Sequence, residues 1–348
     1  RQGDGRLTLK GGVREILAAT YLEALGVHTS KAFSLVETGE QLARNDEPSP
    51  TRGSVLVRLS ESHVRFGTFQ RCAYYDDREG LARLVDYCVA EFHPDADAPD
   101  MAAKAVNLLT AITRATAAMI GQWMAAGFVH GVMNTDNFNE TFDFGPWRFL
   151  PVSDPNFVAA YFDQNGLYSF GRQPTQGAWA LQQLASALLP LAEAEDLAKG
   201  LAPYEAAYQQ SFAAHTHHLL GLHGSGDLRT DLTFLQAFYG WMTTSGASWP
   251  QTFFDLYGGE ASETRMKASP QAALYQTESF APVREFITAR EATHADRLAL
   301  PYFQADAPVT LLIEDVESLW EPIAAEDDWS AFEARLAHME AARLALAT

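Results

Sequence analysis

Apolar side chains recur along the first quarter of this chain at spacings that predict a small mixed region. In VREILAATYLEALGV, residues 13–27, the positions Val13, Ile16, Leu17, Tyr21, Leu22 and Leu25 fall on one helical face, and Gly26 closes the helix. Residues 31–38 (KAFSLVET) and 54–60 (SVLVRLS) read as strands, separated by a polar, proline-containing loop over 39–53. The segment 63–70, HVRFGTFQ, reads as extended chain or a tight turn. Helical patterns then cover 78–92 and 101–126, joined by the polar loop 93–100. From Gly127 to Leu150 the apolar residues come in short pieces broken by glycine and polar side chains. Helices resume over about 177–191, 193–220 and 228–245, followed by a Gly-, Ser- and Pro-rich loop over 244–270. A short strand at 307–313 and a last helix at 329–346 complete the pattern.

The fold class is therefore α+β, with residues 1–75 as a small α/β lobe and 76–348 as a larger, mainly helical lobe. A polar loop region bearing Asp and Asn inside the larger part gives the outline of a protein-kinase-like fold. Charge then narrows the partners. Lys and Arg total 25 against 44 Asp and Glu, a net charge of −19, and only five lysines occur. Phosphate neutralisation needs clustered cations, so no nucleic-acid partner is expected. No apolar run approaches the roughly 18 to 20 residues of a membrane helix, so no membrane partner is expected either. Two cysteines, Cys72 and Cys88, make no disulfide framework and read as packed thiols. That usage fits a reducing, cytoplasmic setting.

The densest chemical signal is Val129-His130-Gly131-Val132-Met133-Asn134-Thr135-Asp136-Asn137, with Asp143-Phe144-Gly145 beginning six residues after Asn137. An Asn amide oxygen and an Asp carboxylate are hard ligands for a small cation that also bridges nucleotide phosphates. A conventional kinase base would lie five residues before that asparagine, yet Val132 stands there and cannot accept a proton. The nearest carboxylate is Asp136.

Separate blocks then occur in a familiar order: Gly3-Asp4-Gly5-Arg6, Val13-Arg14-Glu15, Val57-Arg58, Val64-Arg65-Phe66-Gly67, GFVHGVMNTDN at 127–137, DFGP at 143–146 and YSFGRQPTQGAW at 168–179. On these blocks residues 1–190 resemble the selenoprotein O (SelO, or YdiU) family, protein adenylyltransferases with a pseudokinase fold. The resemblance implies ATP bound in a flipped orientation, so that AMP passes to Ser, Thr or Tyr hydroxyls of protein substrates. It implies Asp136 as proton acceptor and Asn137 and Asp143 on Mg²⁺ or Mn²⁺. Arg58 and Arg65 would grip the outer phosphates, for which a planar guanidinium is suited. Asp4 and Gly5 would line the nucleotide, and Glu15 would pair with a phosphate-binding lysine.

The chain departs from the family in three ways. That lysine and its glycine-rich segment have no counterpart, and residue 1 is not Met, which points to a chain cut from something longer with its small lobe incomplete. The gap from Asn137 to Asp143 is short for the family. No Cys-x-x-Cys accompanies the C-terminal AARLALAT, so redox control is not expected. Two rival readings share the same residues: a kinase-fold phosphotransferase, and a catalytically dead nucleotide-binding pseudokinase. His130 is expected to fix the loop rather than act as a base. The aromatic run Trp147, Phe149, Phe157, Tyr161 and Phe162 reads as core packing.

Overall fold

A computed structural model describes residues 5–44, 48–139 and 145–347. In chain order the elements are β1 (Leu7–Thr8), α1 (Leu9–Ala24), β2 (Lys31–Leu42), β3 (Thr51–Leu59), α2 (Phe66–Tyr74), α3 (Arg78–Phe92), α4 (Met101–Ala126), β4 (Phe128–His130) and β5 (Trp147–Phe149). There follow α5 (Gln173–Leu188), α6 (Ala194–Leu201), α7 (Tyr204–Leu220), α8 (Leu228–Ser245), α9 (Trp249–Leu256), α10 (Glu263–Ala268), α11 (Ala281–Thr288), α12 (Ile313–Glu326) and α13 (Ser330–Leu346). The class is α+β. Among the described residues no helix is long and apolar enough to cross a membrane.

The chain packs as two compact units, Arg1–Ser60 with Ala299–Thr348, and Glu61–Leu298. The first unit ends at Ser60 and takes in the C-terminal helices. The reason is visible in named contacts. Lys10 pairs with Glu317 at 2.7 Å, Arg52 donates to the Ile323 carbonyl at 3.0 Å, and the Tyr21 hydroxyl donates to the Val309 carbonyl at 3.0 Å.

In the first unit an antiparallel sheet of order β1-β3-β2 carries α1 on one face. Thr8 caps α1 by accepting from the Gly11 amide at 3.0 Å. Val13, Leu17 and Leu22 are buried on the helix's inner stripe. A Cβ at Gly12 would stand 2.4 Å from Leu35 Cδ1, so a larger residue there would displace the Leu35 side chain on β2. The expected loop over 39–53 is shorter than its composition suggests. Gly39, at φ +75°, absorbs a register shift, and pairing resumes at Gln41 and Arg52. The expected strand at 307–313 does not form among the described residues. Instead the Asp315 carboxylate takes the Thr310 hydroxyl at 2.7 Å and the Leu312 amide at 2.8 Å, turning the segment into the cap of α12.

In the second unit α4 is the central helix, with Leu108, Leu109, Ile120 and Trp123 buried. Residues 63–70 are extended only as far as Arg65, after which Phe66 and Phe69, three apart and both buried, begin α2. Pro203 divides the expected helix 193–220 into α6 and α7. The presumed loop 244–270 contains α9 and α10, held by the buried Asp255. Its carboxylate accepts from Gln251 at 2.8 Å, Ser269 at 2.5 Å and the Tyr275 hydroxyl at 2.7 Å.

Candidate active site

Helix α4 ends at Gly127, whose φ of +68° and tight approach to Trp249 (2.7 Å from a built Cβ to Nε1) require glycine. The chain then enters β4, which pairs antiparallel with β5 through Phe128–Phe149, Val129–Arg148 and His130–Trp147. The described part of the loop between these strands is residues 131–139 and 145–146. The Gly131 amide donates to the Pro146 carbonyl at 2.6 Å and closes the base of that loop.

His130 is buried, and burial pushes its imidazole down to about 3, so the ring is neutral near pH 7. Its Nδ1 accepts from the Val132 amide at 3.0 Å, which puts the ring proton on Nε2. Gln173, at the start of α5, accepts from the His130 amide at 2.8 Å and donates to the Phe128 carbonyl at 2.9 Å. The histidine accordingly has the architectural role expected for it, and Gln173 is the residue that sequence reasoning missed. It lay within the block 168–179, but nothing in its spacing marks a buried backbone clasp.

The loop is also tied to α2. The Phe66 amide donates to the Phe138 carbonyl and the Gly67 amide to the Thr135 carbonyl, both at 3.0 Å. Phe66 and Phe138 stack with ring centroids 5.5 Å apart. Thr135 Oγ1 donates to Gln70 Oε1 at 2.5 Å, and the Tyr168 hydroxyl donates to Asn134 Oδ1 at 2.6 Å. Burial raises the Tyr168 phenol above its usual value, with the Asp163 and Asp136 carboxylates adding to the shift, so it remains a donor.

Between these anchors stand the two expected site residues of the loop. Asp136 is exposed, and a Cβ built on Gly67 would lie 3.7 Å from its Cα. Asn137 is half-buried, and its Nδ2 donates to the Val132 carbonyl at 2.9 Å. That bond fixes which end of the amide is spent: the nitrogen is used, and the carbonyl oxygen has no hydrogen bond among the described residues. A hard oxygen left over in this way fits a small divalent cation. Val132 serves the loop with its backbone, as the hydrogen bonds to His130 and Asn137 show.

The remaining expected residues are distributed as follows. Arg65 is exposed immediately before α2, in the same unit as Asp136 and Asn137. Arg58, on β3, belongs to the first unit. There it is half-buried, 3.5 Å from Glu15 and donating to Ser30 Oγ at 2.8 Å. Burial pushes Glu15 up to about 8, while the Arg58 and Arg14 charges hold it back, and burial also lowers Arg58. Glu15, expected to pair with a lysine, pairs with Arg58. Gly5 is exposed with φ +71°. Asp4 and Asp143 lie outside the described residues. The aromatic run divides: Trp147 and Phe149 are buried, whereas Tyr161 and Phe162 are 82% and 51% exposed. Those two follow Ala160, which lies beside Gly131 of the loop.

With this geometry in place, comparison with known proteins is specific. The family model described as protein adenylyltransferase SelO matches residues 1–340. A protein nucleotidyltransferase YdiU of Synechocystis is 36% identical over 95% of this chain and 72% of its own length. Its counterpart in Gloeobacter violaceus is 38% identical over 95% of this chain and 70% of its own length. That of Synechococcus elongatus is 36% identical over 97% and 71%.

Proposed function

The chain belongs to the protein adenylyltransferase SelO family, and on that footing we propose that it transfers AMP from ATP to a Ser, Thr or Tyr hydroxyl of a protein substrate, on a kinase-like fold. The observation that carries this reading is the loop itself: an exposed Asp136 next to an Asn137 whose amide nitrogen is already spent. Asp136 accepts the proton of the attacking hydroxyl. The hydroxyl oxygen then bonds to the α-phosphorus, the bond from that phosphorus to the bridging oxygen breaks, and pyrophosphate leaves. General-base assistance of this kind contributes about 10²- to 10⁴-fold.

Asn137 and Asp143 would hold Mg²⁺ or Mn²⁺. When bound, such a cation supplies positive charge to the phosphates and to the leaving pyrophosphate. Arg65 and Arg58 hold the outer phosphates through their guanidinium forks, while Gly5 and Asp4 line the nucleotide. His130, neutral and committed to the Val132 amide, takes no part in proton transfer.

The roles separate in a variant. Asp136→Ala is expected to lower turnover by about 10²- to 10⁴-fold while ATP binding, followed by calorimetry, changes little. Loss of ATP binding in parallel with turnover would contradict the assignment of Asp136 as the base.

A further inference from the structure

Helix α2 presents two unlike surfaces. Its first turn is bound to the candidate catalytic loop through Phe66 and Gly67. Its last turn turns Tyr74 and Tyr75 to solvent, 81% and 67% exposed, with their rings edge to face at 5.1 Å. Between α2 and α5 lies an open groove of about 640 Å³, lined by Gly67, Gln70, Arg71, Tyr74, Tyr75 and Gln183 among others. The groove begins at the loop, because Gly67 abuts Asp136 and Gln70 accepts from Thr135.

The lining selects among occupants. The Gln70 amide nitrogen, the Gln183 amide and the Ser186 hydroxyl oxygen offer donors and acceptors that suit the alternating amides and carbonyls of a peptide. Exposed tyrosines supply large contact area at little entropic cost and are typical of protein-recognition surfaces. Arg71 is the one charged side chain among the described lining residues, and it stands 5.9 Å from the Tyr75 ring centroid. Despite the net charge of −19, the local guanidinium gives the groove a cation that favours a carboxylate beside it. A nucleotide is a poor match, since a single guanidinium cannot offset a triphosphate.

We propose that this groove receives the segment of the protein substrate that carries the accepting hydroxyl, and that Arg71 selects segments with an acidic residue near it. The inference takes its chemistry from the adenylyl-transfer reading, but the binding step can be measured without nucleotide. Fluorescein-labelled twelve-residue peptides with one serine and either Glu or Lys flanks would be titrated by anisotropy against the wild type, Arg71→Glu and Tyr74→Ala/Tyr75→Ala. All three positions are exposed, so the fold is retained, and circular dichroism checks it. The wild type is expected to prefer the Glu peptide. Arg71→Glu should weaken that peptide about five- to tenfold and reverse the preference, as expected for an ion pair at a partly shielded surface. The tyrosine variant should weaken both peptides. Failure of the wild type to bind either peptide, or affinities within twofold across the variants, would overturn the proposal. The same peptides, followed with α-labelled ATP, separate the two readings. Binding that responds to Arg71 without label transfer removes the chemistry and keeps the groove. Transfer to the Glu peptide at an unchanged KM in Arg71→Glu removes the groove and keeps the chemistry.

Discussion

Two ionisable groups, one buried and one half-buried and each in its own unit, are held in opposite ways. His130 sits inside the β4–β5 hairpin, neutral, with its ring nitrogen and its backbone amide both hydrogen-bonded. Glu15 sits on α1 with Arg58 at 3.5 Å, and burial raises it to about 8 against that positive charge. The first arrangement is satisfied locally by hydrogen bonds. The second sets burial against an ion pair, and burial is the larger influence on Glu15.

The largest effect should come from removing the clasp on the hairpin. Gln173→Leu strands the His130 amide and the Phe128 carbonyl in a fully buried site, at a cost of about 2–5 kcal/mol. Urea unfolding measures it, and a loss below about 0.5 kcal/mol would mean that the hairpin does not depend on Gln173.

Acid should act next. His130 has a folded pKa of about 3, below the roughly 6.5 of the unfolded chain, so between those values the unfolded state binds more protons. Its contribution is intact above about pH 6.5 and is lost as pH falls toward 3, on the order of 4 kcal/mol in full. In His130→Asn, which does not titrate, stability should fall less steeply from pH 6.5 to 4. Parallel profiles would remove His130 from the account.

Glu15 should behave in the opposite sense and more weakly. Its folded pKa of about 8 exceeds the unfolded one, so its contribution is present below about pH 4.5 and is lost as pH rises through 8. Glu15→Gln should therefore gain on the wild type as pH increases, by up to ~2 kcal/mol, because a partly exposed pair relaxes toward water. A constant difference from pH 5 to 8 would show that Glu15 does not carry a raised pKa.

The sequence pattern conveyed the long helices well, because α1, α3, α4 and α8 have apolar stripes that only a helix can bury. It failed where tertiary contacts override local pattern. The apolar run at 307–313 reads as a strand until Asp315 takes its donors. Phe66 and Phe69 read as extended until Phe138 offers a stacking partner. The adjacency of Asp136 and Asn137 was legible as a candidate site because their types are chemically restrictive. Glu15–Arg58 was not, since the two lie on different elements and their pairing depends on how α1 meets β3. Gln173 and the Tyr74–Tyr75 surface were invisible for a similar reason: burial and exposure of such residues are set by neighbours, not by their own spacing.

The central claim is adenylyl transfer from this loop, and one measurement addresses it directly. The protein would be incubated with Mg²⁺, a protein acceptor and ATP labelled at either the α- or the γ-phosphate, with Asp143→Ala as control. The account predicts that only the α-label reaches the acceptor and that the variant transfers none. Transfer of the γ-label instead, or α-label transfer that survives in Asp143→Ala, would contradict it.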